Sequence, residues 1–265
     1  AGEFLGSDPV RHNLILTLLH GRVAAPEPGR YWVVDADDRA CGVVFQSPLQ
    51  FVATLTPMSS AAASAAADAI ADAGVALPGV SAEAATAAHF AGRWTERTQA
   101  AALPDLGQRL YAFGEPGEVR QASGVVRRAD EHDRGVLIEW TEAFEHEIGE
   151  QPSDAAAVVD RRLRSQQLFA WEDGGVVAMA GVSAPVGDVV RVGPVYTPPA
   201  ARGHGYASAL VASLSIDARS RGLRCILFAD LANPTANALY RRIGYQAVAE
   251  WLRYRFEPAE RVTNH

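Results

Sequence analysis

The chain has no lysine. All 24 of its Lys and Arg positions are arginine, set against 31 acidic residues. That absence removes two classes of chemistry. A Walker-type phosphate loop needs its Lys at the phosphates, and a Schiff-base enzyme needs a Lys amine. Cysteine is scarce as well: Cys41 and Cys225 lie far apart in apolar runs, with no CxxC or Cys/His spacing. Two buried free thiols in a reducing compartment are expected, with a disulfide the lesser reading and no metal site. No apolar run is long enough to span a bilayer and no secretory leader is recognisable, so a cytoplasmic protein is expected. The formal net charge of -7 gives no reason to expect nucleic acid or an anionic membrane as partner. The Arg- and Ala-rich usage points to a GC-rich, bacterial genome.

What is present is an ordinary globular balance, 48% hydrophobic and 21% charged, long enough for one large domain or two of usual size. Residues 1–7 resemble a cloning scar and are set aside. Residues 8–20 have helical spacing of Leu14, Ile15, Leu18 and Leu19. Residues 31–36 and 41–46 read as a hairpin, and 50–58 continue the strand pattern. Ser59 and Ser60 cap an Ala-rich helix ending at Gly74, a second helix is expected over 81–98, and 109–114 reads as a strand. The turn EPGE (115–118) is the expected domain boundary. Beyond it come a strand at VVRRA, helices at RGVLIEWTEAFEHEI and DAAAVVDRRLRSQ, then a three-strand meander over 168–173, 176–184 and 188–197. A helix from Gly205, a strand at 225–230, a short helix through Leu239 and two final strands complete a mixed α/β sheet. The expected layout is an N-terminal α/β domain at 8–118, a second domain at 119–258 and a tail at 259–265.

The stretch Arg202-Gly203-His204-Gly205-Tyr206-Ala207 stands between the third meander strand and a helix. The first amides of a helix have no internal partner and its dipole attracts anions. Glycines there let amides converge on a phosphate, and Arg202 adds a charged donor. A plain strand-to-helix connection is the bland alternative. A dinucleotide fold is another, but five residues separate the strand from Gly203, Ser208 takes the place of a third glycine, and the preceding meander is antiparallel.

A third reading covers more of the chain. Residues 202–207 resemble the R-x-x-G-x-G/A motif of the GCN5-related N-acetyltransferase (GNAT) family. Asn233-Pro234-Thr235-Ala236-Asn237-Ala238-Leu239-Tyr240, followed by Gly244-Tyr245, resembles that family's N-x-x-A-x-x-x-Y-x-x-x-G-F/Y signature, and the element order over 119–257 is similar too. The resemblance implies a C-terminal acetyltransferase domain and a smaller N-terminal α/β domain, itself a candidate for a degenerate half of the same kind.

The resemblance implies acetyl-CoA as cosubstrate, no metal, and direct transfer to a primary amine in a ternary complex. The acceptor would be a small molecule or a protein, and an acidic chain could favour a cationic amine. Lysine autoacetylation is impossible in this chain. The implied cofactor site comprises the motif residues Arg202, Gly203, His204, Gly205, Tyr206, Ala207 and Ser208. It also takes in the strand end at Val195, Tyr196 and Thr197, and Asn233 and Asn237, for which capping of the short helix is the rival role, above all for Asn233 before Pro234. Tyr240 takes the position of the general acid. No Glu stands in the strand before the motif, which offers only Asp188 at its far end, so the base is sought among Glu139, Glu142, Glu145, Glu147 and Glu150, with a relay through water equally open. Glu147 is preferred because it shares helical spacing with Trp140 and Phe144. The first half has no second phosphate turn; shaping the acceptor cleft or holding a homodimer are roles open to it. A catalytically silent CoA sensor is the alternative function.

Overall fold

The computed structural model describes residues 1–119, 121–149 and 152–258, so Glu150 and the expected tail at 259–265 lie outside the described residues. In chain order the elements are α1 (Gly2–Ser7), α2 (Asn13–Ala24), β1 (Arg30–Ala36), β2 (Arg39–Gln46), β3 (Ala53–Leu55), α3 (Ser60–Asp72), β4 (Gly79–Glu83), α4 (Ala84–Thr98) and β5 (Ala101–Phe113). There follow β6 (Val125–Arg128), α5 (Arg134–Glu147), α6 (Ala155–Arg164), β7 (Leu168–Glu172), β8 (Val176–Val182), β9 (Val189–Tyr196), α7 (Tyr206–Ser220), β10 (Arg224–Asp230), α8 (Pro234–Arg242) and β11 (Tyr245–Glu257). The expected mixed α/β class is what forms. Contacts cluster into two units that interleave in sequence. The first takes residues 1–110, 229–234 and the chain from Ala247 on; the second takes 111–228 and 235–246. The division therefore falls before the EPGE turn, and the long strands β5 and β11 each give residues to both units.

In the first unit β1 and β2 form the expected hairpin, with Asp37 and Asp38 at positive φ in its turn. β3 adds antiparallel to β2, and β4 returns parallel to β3 after α3. Ser59 caps α3 as expected, its hydroxyl accepting from the Ala62 N–H. Three sequence expectations need correction. Residues 79–83 are a strand rather than the start of a helix, because Val80 and Ala82 are fully buried between β3 and β11. The end of the chain is one strand, β11, rather than two. Residues 2–7 are a helix whose Leu5 is buried beside Ile15, Val43 and Phe45, so they take part in the fold. The main core lies under α3 and α4, where Ala63, Ala67 and Ala87 let the helices approach and Phe90, Trp94 and Phe256 stack.

The second unit repeats that plan. β6, β7, β8 and β9 are antiparallel neighbours, and β10 lies parallel to β9 after α7. Leu137, Trp140, Val159 and Leu163 of α5 and α6 pack on Met179 and Tyr196. Asp154 caps α6 by accepting from the Ala157 N–H. Asp133 is buried, holds the Arg127 guanidinium at 2.6 and 2.8 Å, and closes a capping box with Asp130 ahead of α5. Cys41 and Cys225 are free thiols; Cys225 is buried and Cys41 half-buried. No helix among the described residues is long and apolar enough to cross a membrane.

Candidate active site

The amphipathic helix α7 is anchored by Leu210, Val211, Leu214 and Ala218, all buried, which fixes where its N-terminus sits. Gly205 is the N-cap residue, in the left-handed region at φ 89°, and Gly203 shares that conformation at φ 83°. No side chain caps this end, and the first backbone bond back to the turn is from the Ala209 N–H to the Gly205 carbonyl. The amides of Tyr206, Ala207 and Ser208 therefore precede the intrahelical ladder and face an anion-sized demand. The Thr197 Oγ1 and Ser208 Oγ, at either end of the turn, are buried and lack a hydrogen-bond partner among the described residues. Uncapped amides with orphaned hydroxyls fit a phosphate-bearing ligand. The contrast with α3 is instructive. It occupies the same place in the repeated plan, but Ser59 satisfies its N-terminus from within, so no anion is called for.

The other motif side chains are held by neighbours in and around the turn. The His204 ring stacks on Tyr206 at 5.5 Å, and the Tyr206 hydroxyl donates to Asp173 at 2.6 Å. Arg202 donates through Nε to the Thr197 carbonyl at 2.8 Å and through Nη2 to both Glu147 oxygens, at 2.6 and 2.8 Å. The residue expected at the phosphates and the residue expected as base thus hold each other. Tyr196 joins them: its ring lies under the Arg202 guanidinium, its hydroxyl is 3.4 Å from Glu147, and burial raises its pKa. Of the other acidic candidates, Glu145 binds Ser153 and Asp188 pairs with Arg224, while Glu139 and Glu142 are exposed.

Beside this turn β9 forks from β10. The two pair in parallel over Val189–Arg191 and Arg224–Ile226, and from Val192 to Tyr196 the partners of β9 lie on β8. Pro194, with no N–H, sits at the fork, next to Gly193, whose carbonyl accepts from Arg162 Nη1 at 3.0 Å. Val195, Tyr196 and Thr197 follow on the same edge.

α8 brings up Tyr240 and Asn237. Asn237 is buried, and its Oδ1 accepts from the Tyr111 hydroxyl at 2.8 Å, so at least one face of this amide is structural. Tyr240 is half-buried, its ring 6.3 Å from Tyr111 and 5.9 Å from Tyr245, and burial pushes its pKa up to about 12. The phenol stays neutral at physiological pH. Gly244 ends the signature at φ 112°, where a Cβ would meet the Glu115 carbonyl at 2.2 Å; only glycine allows that approach. Asn233 immediately precedes α8 and is exposed. Sequence reasoning missed Arg162, whose guanidinium reaches the fork from α6; as one arginine of the run DRRLRS it carried no signal of its own.

Residues 133–245 match the family model described as "Acetyltransferase (GNAT) family". No curated protein matches the chain in sequence. Solved structures share its fold over most of its length. A GNAT acetyltransferase from Colwellia psychrerythraea superposes with TM-score 0.61 at 12% identity, covering 86% of both chains. A GCN5-related N-acetyltransferase from Sphaerobacter thermophilus gives 0.63 at 16% identity, over 91% of this chain and 84% of the other. One from Kribbella flavida gives 0.56 at 18%, over 94% and 96%. The matched segment contains α5 to α8, the uncapped turn and the β9 fork, and the chain thus carries at residues 133–245 an acetyltransferase domain of the GNAT family.

Proposed function

We propose that this chain is an N-acetyltransferase that passes the acetyl group of acetyl-CoA directly to a primary amine. The observation that carries this is the uncapped, glycine-started α7 beside the β9 fork, with a neutral Tyr240 on α8. The turn at 202–208 holds the pyrophosphate with its amides, and the open edge at Val195–Thr197 holds the pantetheine arm. Acetyl-CoA supplies an activated thioester; the amine nitrogen bonds to its carbonyl carbon, the C–S bond breaks, and one proton leaves the nitrogen.

Tyr240 donates a hydrogen bond to the departing sulfur. Its phenol near 12 is a weaker acid than an ordinary thiol near 8.5, so complete proton transfer from it would be uphill by roughly 5 kcal/mol. Tyr240 therefore stabilises the thiolate first and gives up its proton only if solvent replaces it. Glu147 takes the amine proton once Arg202 turns from it to the phosphates, which makes the base available when cofactor is bound. Neither cysteine forms an acyl-enzyme: Cys225 is buried against Ser215 and Tyr245, and burial raises its pKa.

The Arg202–Glu147 pair also favours a second reading, a CoA-binding module without turnover, because it occupies the carboxylate. Thiol release from acetyl-CoA across a panel of amines separates the two. CoA at a hundredfold excess over its Kd should stabilise the fold by about 2.7 kcal/mol in either case. A melting shift without thiol release on any amine supports the sensor, and no shift at all overturns both.

A further inference from the structure

β9 carries a bulge at the fork. Ala180 pairs with Val195 and Val182 with Val192, so Gly193 and Pro194 together face the single residue Gly181 of β8. A bulge leaves its extra residue outside the ladder and bends the strand that bears it. Gly193 takes φ 147°, a conformation that favours glycine, and Pro194 has no N–H to offer the ladder. The Gly193 carbonyl is met from another element: Arg162 of α6 donates to it through Nη1 at 3.0 Å. Room for that approach comes from β8, where a Cβ at Gly181 would overlap Arg162 Nη1 and lie 2.6 Å from the Gly193 oxygen. Arg134 and Arg224 engage the carboxylates of Asp160 and Asp188, whereas the half-buried Arg162 makes no ion pair among the described residues. Its guanidinium is held by one backbone carbonyl. Beyond the bulge, Val195 and Tyr196 regain partners on β8, opposite Ala180 and Met179. Whatever fixes the bulge therefore fixes the β9 edge at Val195–Thr197 and the place where the Tyr196 ring meets Arg202.

We propose that Arg162 is a positioning residue: by holding the Gly193 carbonyl it sets the β9 edge that takes the pantetheine arm of acetyl-CoA. It acts through the strand, and Gly181 is the residue that lets it do so. This rests on the acetyl-transfer reading. A hydrogen bond from a charged donor is stronger than a neutral one, and removing the donor leaves the bulge carbonyl without its partner. The loss should therefore be felt along the pantetheine edge and spare the phosphate turn, whose amides and glycines belong to α7.

The test compares, by calorimetry on the full chain, the binding of CoA with that of 3′-phospho-ADP, which is CoA without its pantetheine arm. Arg162→Gln should weaken CoA by about tenfold or more while 3′-phospho-ADP stays within about twofold of its wild-type affinity. Gly181→Ala, which displaces an intact guanidinium, should give the same split, and the double variant should be no worse than either single one. Arg162→Lys keeps a charged donor on a different stem, so its loss should be smaller and still confined to CoA. It decides the matter on the same comparison if the glutamine variant does not fold. Unchanged CoA binding in folded Arg162→Gln overturns the role, and so does a loss shared equally by both ligands, which marks general damage to the fold. CoA no tighter than 3′-phospho-ADP on the wild-type chain also overturns it, since the edge then holds no pantetheine although the phosphate turn is intact. If the wild-type chain binds neither ligand, the acetyl-CoA reading itself has failed and the role falls with it.

Discussion

Removing one oxygen, Tyr240→Phe, separates chemistry from packing at this site. The Tyr240 ring is held by edge and tilted contacts with Tyr245 and Tyr111, all of which a phenylalanine keeps. The hydroxyl has no hydrogen-bond partner among the described residues, so its loss should change stability by less than about 0.5 kcal/mol. The same hydroxyl would donate to a sulfur that becomes anionic during the reaction. A hydrogen bond to a charged group is worth about 1.5–3 kcal/mol, which converts to roughly 10- to 150-fold in rate. The assay is steady-state thiol release with saturating acetyl-CoA, alongside melting curves with and without CoA. The expected pattern is kcat down by that factor, an unchanged melting temperature and an unchanged CoA-induced shift. A variant of full activity refutes the role of Tyr240. A variant that loses rate and stability together refutes the separation of the hydroxyl from the fold.

Because burial raises the Tyr240 pKa to about 12, its protonated form persists through the alkaline range. The rate should climb as the acceptor amine deprotonates and hold level to about pH 10; a falling limb near 10 that disappears in Tyr240→Phe would show an ordinary phenol instead. Arg202→Gln breaks a pair whose side chains are 46% and 42% exposed, so it should cost no more than about 1 kcal/mol of stability yet shrink the CoA-induced melting shift. An undiminished shift means Arg202 does not reach the phosphates. The Asp133 carboxyl is held below its ordinary value, chiefly by the hydrogen bonds from Arg127. Its contribution is present above the unfolded value near 3.9 and is lost as pH falls through the lower folded one. Asp133→Asn should cost roughly 1–3 kcal/mol at neutral pH and flatten the acid limb of melting temperature against pH, and an unchanged limb would place the acid sensitivity elsewhere.

Short-range chemistry was legible from the residues alone. The Asp37–Asp38 hairpin, the Ser59 cap, the meander of β7 to β9 and the glycine start of α7 each depend on neighbours within a few positions. Helix capping, turn conformation and side-chain alternation operate over that range. The two motifs at 202–208 and 233–245 were readable for the same reason, since Gly205 and Gly244 answer to local backbone demands. Other features depended on residues distant in sequence. Gly79–Glu83 became a strand because β3 and β11 pair with it, overriding the helical pattern of the Ala-rich run that follows. The two units draw on interleaved segments because β5 and β11 are long enough to serve both. The meeting of Arg202 with Glu147 joins a turn to a helix end 55 positions away. Arg162 of α6 reaches the Gly193 carbonyl 31 positions away, a contact that no local propensity encodes. The sequence determined an acetyltransferase-like cofactor turn. Tertiary packing decided which side chains stand beside it, because Glu147 and Tyr196 reach Arg202 only once α5 and β9 are packed together.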